Sequence, residues 1–135
     1  MTDGEFLAAL ERCDLPAEQF DHAAHIRAGY LYLRAAPFAE ALGRIGAAIR
    51  RYATHLGKPD KYHETVTVAF LALIEQHRCE RGDPGDWAAF ARANPDLLAK
   101  DVLLGYYDQR ELDSPMARRT FVLPRQCPPA TPASA

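Results

Sequence analysis

Long apolar runs, a strong net charge, paired cysteines and phosphate-cradling glycine motifs are all missing from this chain of 135 residues. Each absence removes a class of function. No apolar stretch approaches the roughly 18 residues that read as a membrane span. A net charge of −2 supplies no field that would collect nucleic acid or an anionic membrane. Arg118-Arg119 is too short to act as a basic patch. Cys13, Cys79 and Cys127 are three, widely spaced, and form no C-x-x-C pair. They read as reduced thiols of a cytoplasmic protein. The opening Met1-Thr2-Asp3-Gly4-Glu5 is acidic and lacks the basic-then-apolar order of a signal peptide. There is no G-x-G-x-x-G, P-loop, G-x-S-x-G or H-E-x-x-H, and no serine or cysteine stands visibly paired with a histidine.

What is present fits one helical domain. Hydrophobic residues make up 48% and charged residues 25%, enough for a single core. Apolar spacing of three and four predicts helices at Glu5–Arg12, His22–Ala35, Phe38–Leu56, Lys61–Cys79, Trp87–Ala93 and Asp96–Tyr107, with a last turn or two from Ser114-Pro115 through Arg119. Asp21, Asp60, Asp86 and Ser114 are the expected N-caps, and Gly57 suits a C′ position. The expected class is all-α, a compact irregular bundle of five to seven helices with no sheet. The domain is expected over residues 1–123, followed by a proline-rich, disordered tail over 124–135.

Three histidines then stand out. Phe20-Asp21-His22-Ala23-Ala24-His25-Ile26-Arg27 holds two of them, and Lys61-Tyr62-His63-Glu64-Thr65 the third. On a helix, residues i and i+3 are neighbours, so His22 and His25 share a face. From a 100° step, Ile26 lies about 40° from His22 and Leu33 about 20°, which sets His22 in the apolar stripe. The same projection puts Phe70 and Ile74 about 20° either side of His63. Three inward imidazoles suit one transition-metal ion, Zn, Cu or Fe, with an open position for water or substrate. Glu64 is then an orienter or general base, with Tyr62 beside it. Gly29 would leave a gap for a substrate, walled by Tyr30, Thr67 and Phe70, and Arg27 is within reach of an anionic group. His77 lies on the His63 face but about 21 Å along the helix, too far for the same ion. His55 reads as a surface residue near a helix end. Two other readings remain open: histidines satisfied by carbonyls or carboxylates, and a metal-free acid/base site.

These residues resemble a family of small, helical, functionally uncharacterised bacterial proteins. Its pattern is F-x-H-x-x-H-[ILV]-R with a following Y-L, then K-Y-H-E-T-x-T, then Y-Y and L-x-S-x-x-A-R-x-x-F-x-x-P. Here these are Phe20, His22, His25, Ile26, Arg27 and Tyr32-Leu33; then Lys61 to Thr65 and Thr67; then Tyr106-Tyr107, Leu112, Ser114, Ala117, Arg118, Phe121 and Pro124. The resemblance spans about residues 17–124 and implies a grouping of motifs, not an activity.

The expectation is therefore a small cytoplasmic metal-binding protein acting on a small molecule. An oxidoreductase or oxygenase is favoured over a hydrolase, because tyrosines 30, 32, 62, 106 and 107 crowd the clusters. The alternative is a non-catalytic helical ligand-binding or interaction module with structural histidines. No nucleic-acid or membrane partner is expected. The oligomeric state stays open, a homodimer included.

Overall fold

The computed structural model describes residues 1–125; positions 126–135, with Cys127 and most of the proline-rich tail, lie outside the described residues. Among the described residues the fold is all-α: seven α-helices, four short 3-10 turns and no strand. The helices are α1 (Asp3–Glu11), α2 (His22–Ala35), α3 (Phe38–His55), α4 (Glu64–Arg81), α5 (Trp87–Ala93), α6 (Gln109–Leu112) and α7 (Pro115–Arg119). No helix is long and apolar enough to cross a membrane.

Helix α2 is the centre because it is apolar on more than one face. Ile26, Ala28, Gly29, Tyr30, Leu31, Tyr32 and Leu33 are all buried, and α2 packs against both α3 and α4. By contrast α3 has a single buried side, Ala41, Ile45, Ala48 and Tyr52, with its arginines facing water. Tyrosine hydroxyls inside this packing each find an acceptor. Tyr52 donates to the Leu15 carbonyl (2.7 Å), Tyr32 to Glu11 (2.8 Å) and Tyr30 to Asp83.

Local signals placed most boundaries. Asp21, Asp86 and Ser114 cap α2, α5 and α7 through their side chains. Gly57 closes α3 in the left-handed region at φ +74. Three boundaries differ from expectation. Thr2 caps α1, so Asp3 is already helical. Asp60 sits inside the 3-10 turn Pro59–Lys61, and α4 starts later, at Glu64, with His63 as its N-cap. The continuous helix expected over Asp96–Tyr107 is instead two 3-10 turns, Pro95–Leu98 and Val102–Gly105. Leu97 and Leu103 are buried there while Lys100 is exposed between them. Tertiary packing of those two leucines overrides a weak helical pattern.

The space over Gly29 is filled rather than vacant. A Cβ there would lie 2.7 Å from Ile74 Cδ1 and 3.3 Å from Leu71 Cδ1. The gap expected at Gly29 is thus where α4 closes on α2, although Gly29 still borders the cavity described below. Gly29→Ala should be nearly neutral in urea denaturation, because about 1 kcal/mol of gained helix propensity offsets displacing the terminal methyls of Ile74 and Leu71. Gly29→Leu should cost about 1–3 kcal/mol by overpacking.

Candidate functional site

The first turn of α2 carries the site. Asp21 Oδ1 accepts from the Ala24 amide (2.9 Å) and fixes where the helix begins. His22 then donates Nε2–H to the Leu97 carbonyl (3.0 Å), and its ring meets Phe70 edge-on at 5.0 Å. His25 donates Nδ1–H to the Asp21 carbonyl (2.8 Å) and stacks on Phe20 at 3.8 Å. A carbonyl can only accept, so each bond assigns the proton to one ring nitrogen. The other nitrogen of each neutral ring keeps a lone pair: Nδ1 of His22 and Nε2 of His25.

Both rings line a cavity of about 480 Å³ between α2, α3 and α4. Its walls are mostly apolar: Phe20, Ile26, Ile45, Ile49, Val66, Phe70, Leu71 and Ile74. Asp21, His22, His25, Thr67 and Lys100 are its polar lining. That combination, a largely apolar hollow with few polar groups, is the usual form of a small-molecule site.

His63 stands elsewhere. As the N-cap of α4 it lies outside the helix, so the projection that aligned it with Phe70 and Ile74 does not apply. Its Nδ1 accepts from the Val66 amide (3.2 Å) and its Nε2 donates to the Leu112 carbonyl (2.6 Å). Both ring nitrogens are occupied. It lines an adjoining cavity of about 360 Å³, which shares Val66, Phe70 and Lys100 with the first. Among the described residues, no three His, Cys, Asp or Glu side chains are grouped to hold one metal ion.

The remaining expected site residues divide. Thr67 and Phe70 line the cavity with His22 and His25, and Gly29 borders it. Tyr30 does not: it is fully buried, stacks on Phe90 at 4.4 Å, and reaches Asp83. Arg27 turns to the N-terminus, pairing with Asp3 at 2.6 Å and covering the Phe6 ring. Tyr62 donates to Glu64 (2.6 Å), and Arg50 lies over the Tyr62 ring and pairs with Glu64 at 3.4 Å. None of the tyrosines borders the cavity of His22 and His25. Tyr107 donates instead to the Val122 carbonyl. His77 bonds to Asp96 (2.8 Å), and His55 is exposed as expected. Sequence reasoning missed Asp21 as a cavity group and Lys100 altogether. Ile45 and Ile49 were visible on the α3 stripe but not as cavity walls. Lys100 gave no signal, because its place depends on the broken helix around it.

Burial lowers the pKa of His25 below its ordinary value, against the opposing pull of its bond to Asp21. The folded chain therefore binds that proton less readily than the unfolded chain. Its contribution to stability is complete above about pH 6.5, the unperturbed histidine value, and is lost as pH falls below it. Burial acts against the charged form of Asp96, yet hydrogen bonds from Arg81 and His77 hold it down to about 2. Its stabilisation is lost only as pH falls below about 4. Thermal melts should thus fall in two steps on acidification. In His25→Gln the upper step, which begins below about pH 6.5, should disappear, and the lower step should remain.

Comparison with protein-family models, with curated proteins and with solved structures gives no match for this chain.

Proposed function

We propose that this chain is a helical binding protein for a small, mainly apolar molecule held between α2, α3 and α4. The observation that carries this reading is the cavity of about 480 Å³ with aliphatic and aromatic walls and two imidazoles at its edge. Its size falls within the range of natural ligand pockets. Burial of the ligand's apolar surface supplies the affinity, at roughly 25 cal/mol per Å² before the cost of immobilisation. The polar residues fix its orientation. The three histidines support the fold on this reading, since each donates to a backbone carbonyl of another segment or of its own helix start.

The neutral fluorophore N-phenyl-1-naphthylamine tests it. The expected result is saturable, one-site binding to the full chain. Ile49 is half-buried on the cavity wall, so Ile49→Trp fills space without invading the centre of the core. That variant should bind at least about tenfold more weakly, a loss of about 1.4 kcal/mol. Unchanged affinity in Ile49→Trp overturns the assignment to this cavity.

A second reading, a single Zn, Cu or Fe ion serving a metal-dependent enzyme, has one observation in its favour. Histidines that ligate metals commonly donate their other ring N–H to a carbonyl or carboxylate. His22 and His25 both do so. His63 would have to give up its cap or the Leu112 carbonyl to join them. Elemental analysis of untagged protein separates the readings. The metal reading expects a stoichiometric ion that is lost in both His22→Ala and His63→Asn, the latter keeping a cap-competent side chain. An ion that survives both substitutions, or falls well below one per chain, removes the three-histidine site. An optical spectrum of loaded protein would distinguish Cu(II) or Fe from silent Zn.

A further inference from the structure

We infer that the cavity selects a neutral hydrogen-bond donor, an aromatic alcohol of the phenol type, over its ether or its carboxylate counterpart. The inference rests on the binding function proposed above and names the chemistry of the ligand's polar end.

The argument is a count of donors and acceptors. His22 donates Nε2–H to Leu97, and its neutral ring presents only the Nδ1 lone pair to a newcomer. His25 donates Nδ1–H to Asp21, and presents only Nε2. Neither free nitrogen has a hydrogen-bond partner among the described residues, and neither is among the sealed, unpaired polar atoms, which are His77 Nδ1 and Glu111 Oε2. Thr67 commits its hydroxyl proton to the His63 carbonyl (2.8 Å), leaving oxygen lone pairs. Asp21 is an acceptor by nature, with Oδ1 already on Ala24. Four of the five polar side chains lining the cavity therefore offer acceptors, Lys100 at the rim being the donor, and a ligand that only accepts leaves those four without partners.

Charge then separates a neutral donor from an ion. Asp21 and Lys100 are the two formally charged residues lining the cavity, and they are of opposite sign. Their sum favours neither a cation nor an anion. Lys100 is exposed at the rim and has no ion-pair partner among the described residues. It is the one feature that would favour an acid, and the test includes that case. Phe20 and Phe70 each hold an imidazole by its face or edge, which places aromatic surface beside the acceptors. A flat ring carrying one hydroxyl matches both the apolar walls and the acceptor edge.

Three probes with one body and different ends decide the matter: p-cresol, 4-methylanisole and p-toluate. Affinity for the unaltered full chain is measured by ligand-observed NMR titration at pH 7.5, displacing N-phenyl-1-naphthylamine where it binds. The expected order has p-cresol at least about tenfold tighter than either of the others, the scale of one satisfied hydrogen bond. His25→Phe, which keeps a ring to stack on Phe20 but removes one acceptor, should narrow the gap between p-cresol and 4-methylanisole. Equal affinity for cresol and anisole, or tighter binding of p-toluate, overturns the donor rule while leaving the cavity as a binding site. Failure of all three probes and of the fluorophore removes the binding function itself. The comparison of ligands on the unaltered chain stands even if His25→Phe does not fold.

Discussion

A histidine side chain donating to a backbone carbonyl across the fold is the interaction on which this structure most depends. Between α5 and α7 the chain has no helix longer than four residues, only two 3-10 turns and the short α6. Such turns satisfy few of their own carbonyls and bond them poorly. Yet Leu97, Leu103 and Leu112 of this stretch are buried, and a buried carbonyl without a donor costs free energy. His22 from α2 meets the carbonyl of Leu97, and His63 from the start of α4 meets that of Leu112. His77 and Arg81, further along α4, hold Asp96 between them, and Arg81 also bonds to Asn94. An irregular segment is thereby fastened to two regular helices at both of its ends. The imidazole suits this work because it is short, flat and carries a donor at the tip of an otherwise packable ring.

The same fastening creates the cavity. Pinning Leu97 against the start of α2 brings Lys100 to the rim, above Val66 and Phe70. Gly29 lets α4 approach α2 closely at Ile74 and Leu71, and all three residues border the cavity. The hollow is bordered by that contact on one side and by Phe20, Phe70 and the two imidazoles on others. Its acceptor character follows from the same bonds, because each imidazole that donates to the backbone has only a lone pair left to offer.

How much of this the sequence disclosed varies with the range of the interaction. Caps are local, so Asp21, Asp86 and Ser114 were legible from one residue and its successors. The class was legible because the three- and four-residue spacing recurs along most of the chain. His22 and His25 were correctly placed on one face, since three residues of helix fix that geometry. His63 was misjudged through the helix start: moving it three residues, from Lys61 to Glu64, takes His63 off the helix and makes it a cap. A histidine is an uncommon N-cap, and Asp60 was the better local candidate. Tyr30 and Arg27 failed for another reason. Their partners, Asp83 and Asp3, lie far along the chain in segments whose placement no periodicity reveals.

The motif blocks can be separated by what packing already explains. In the Lys61-to-Thr65 block, His63 holds Leu112, Tyr62 holds Glu64, and the buried Thr65 both donates to the Thr120 carbonyl and accepts from the Val122 amide. Tyr107 closes the same junction from the other side through Val122, and Ser114 caps α7 beside it. These two blocks are in contact, and fold support is a sufficient reason for the polar side chains named here. The block around His22 and His25 is different. Phe20 stacks, Ile26 is buried and Arg27 is paired, but the second nitrogen of each histidine has no task in the fold. A phenylalanine at position 25 would keep the ring packing, and an amide at position 22 would keep a donor for Leu97. Those replacements would lose the bond from His25 to Asp21 and the ring of His22 against Phe70, and with them the two lone pairs, and both histidines line the same hollow. For the binding function proposed above, the first turn of α2 is therefore the place where its chemistry is to be tested.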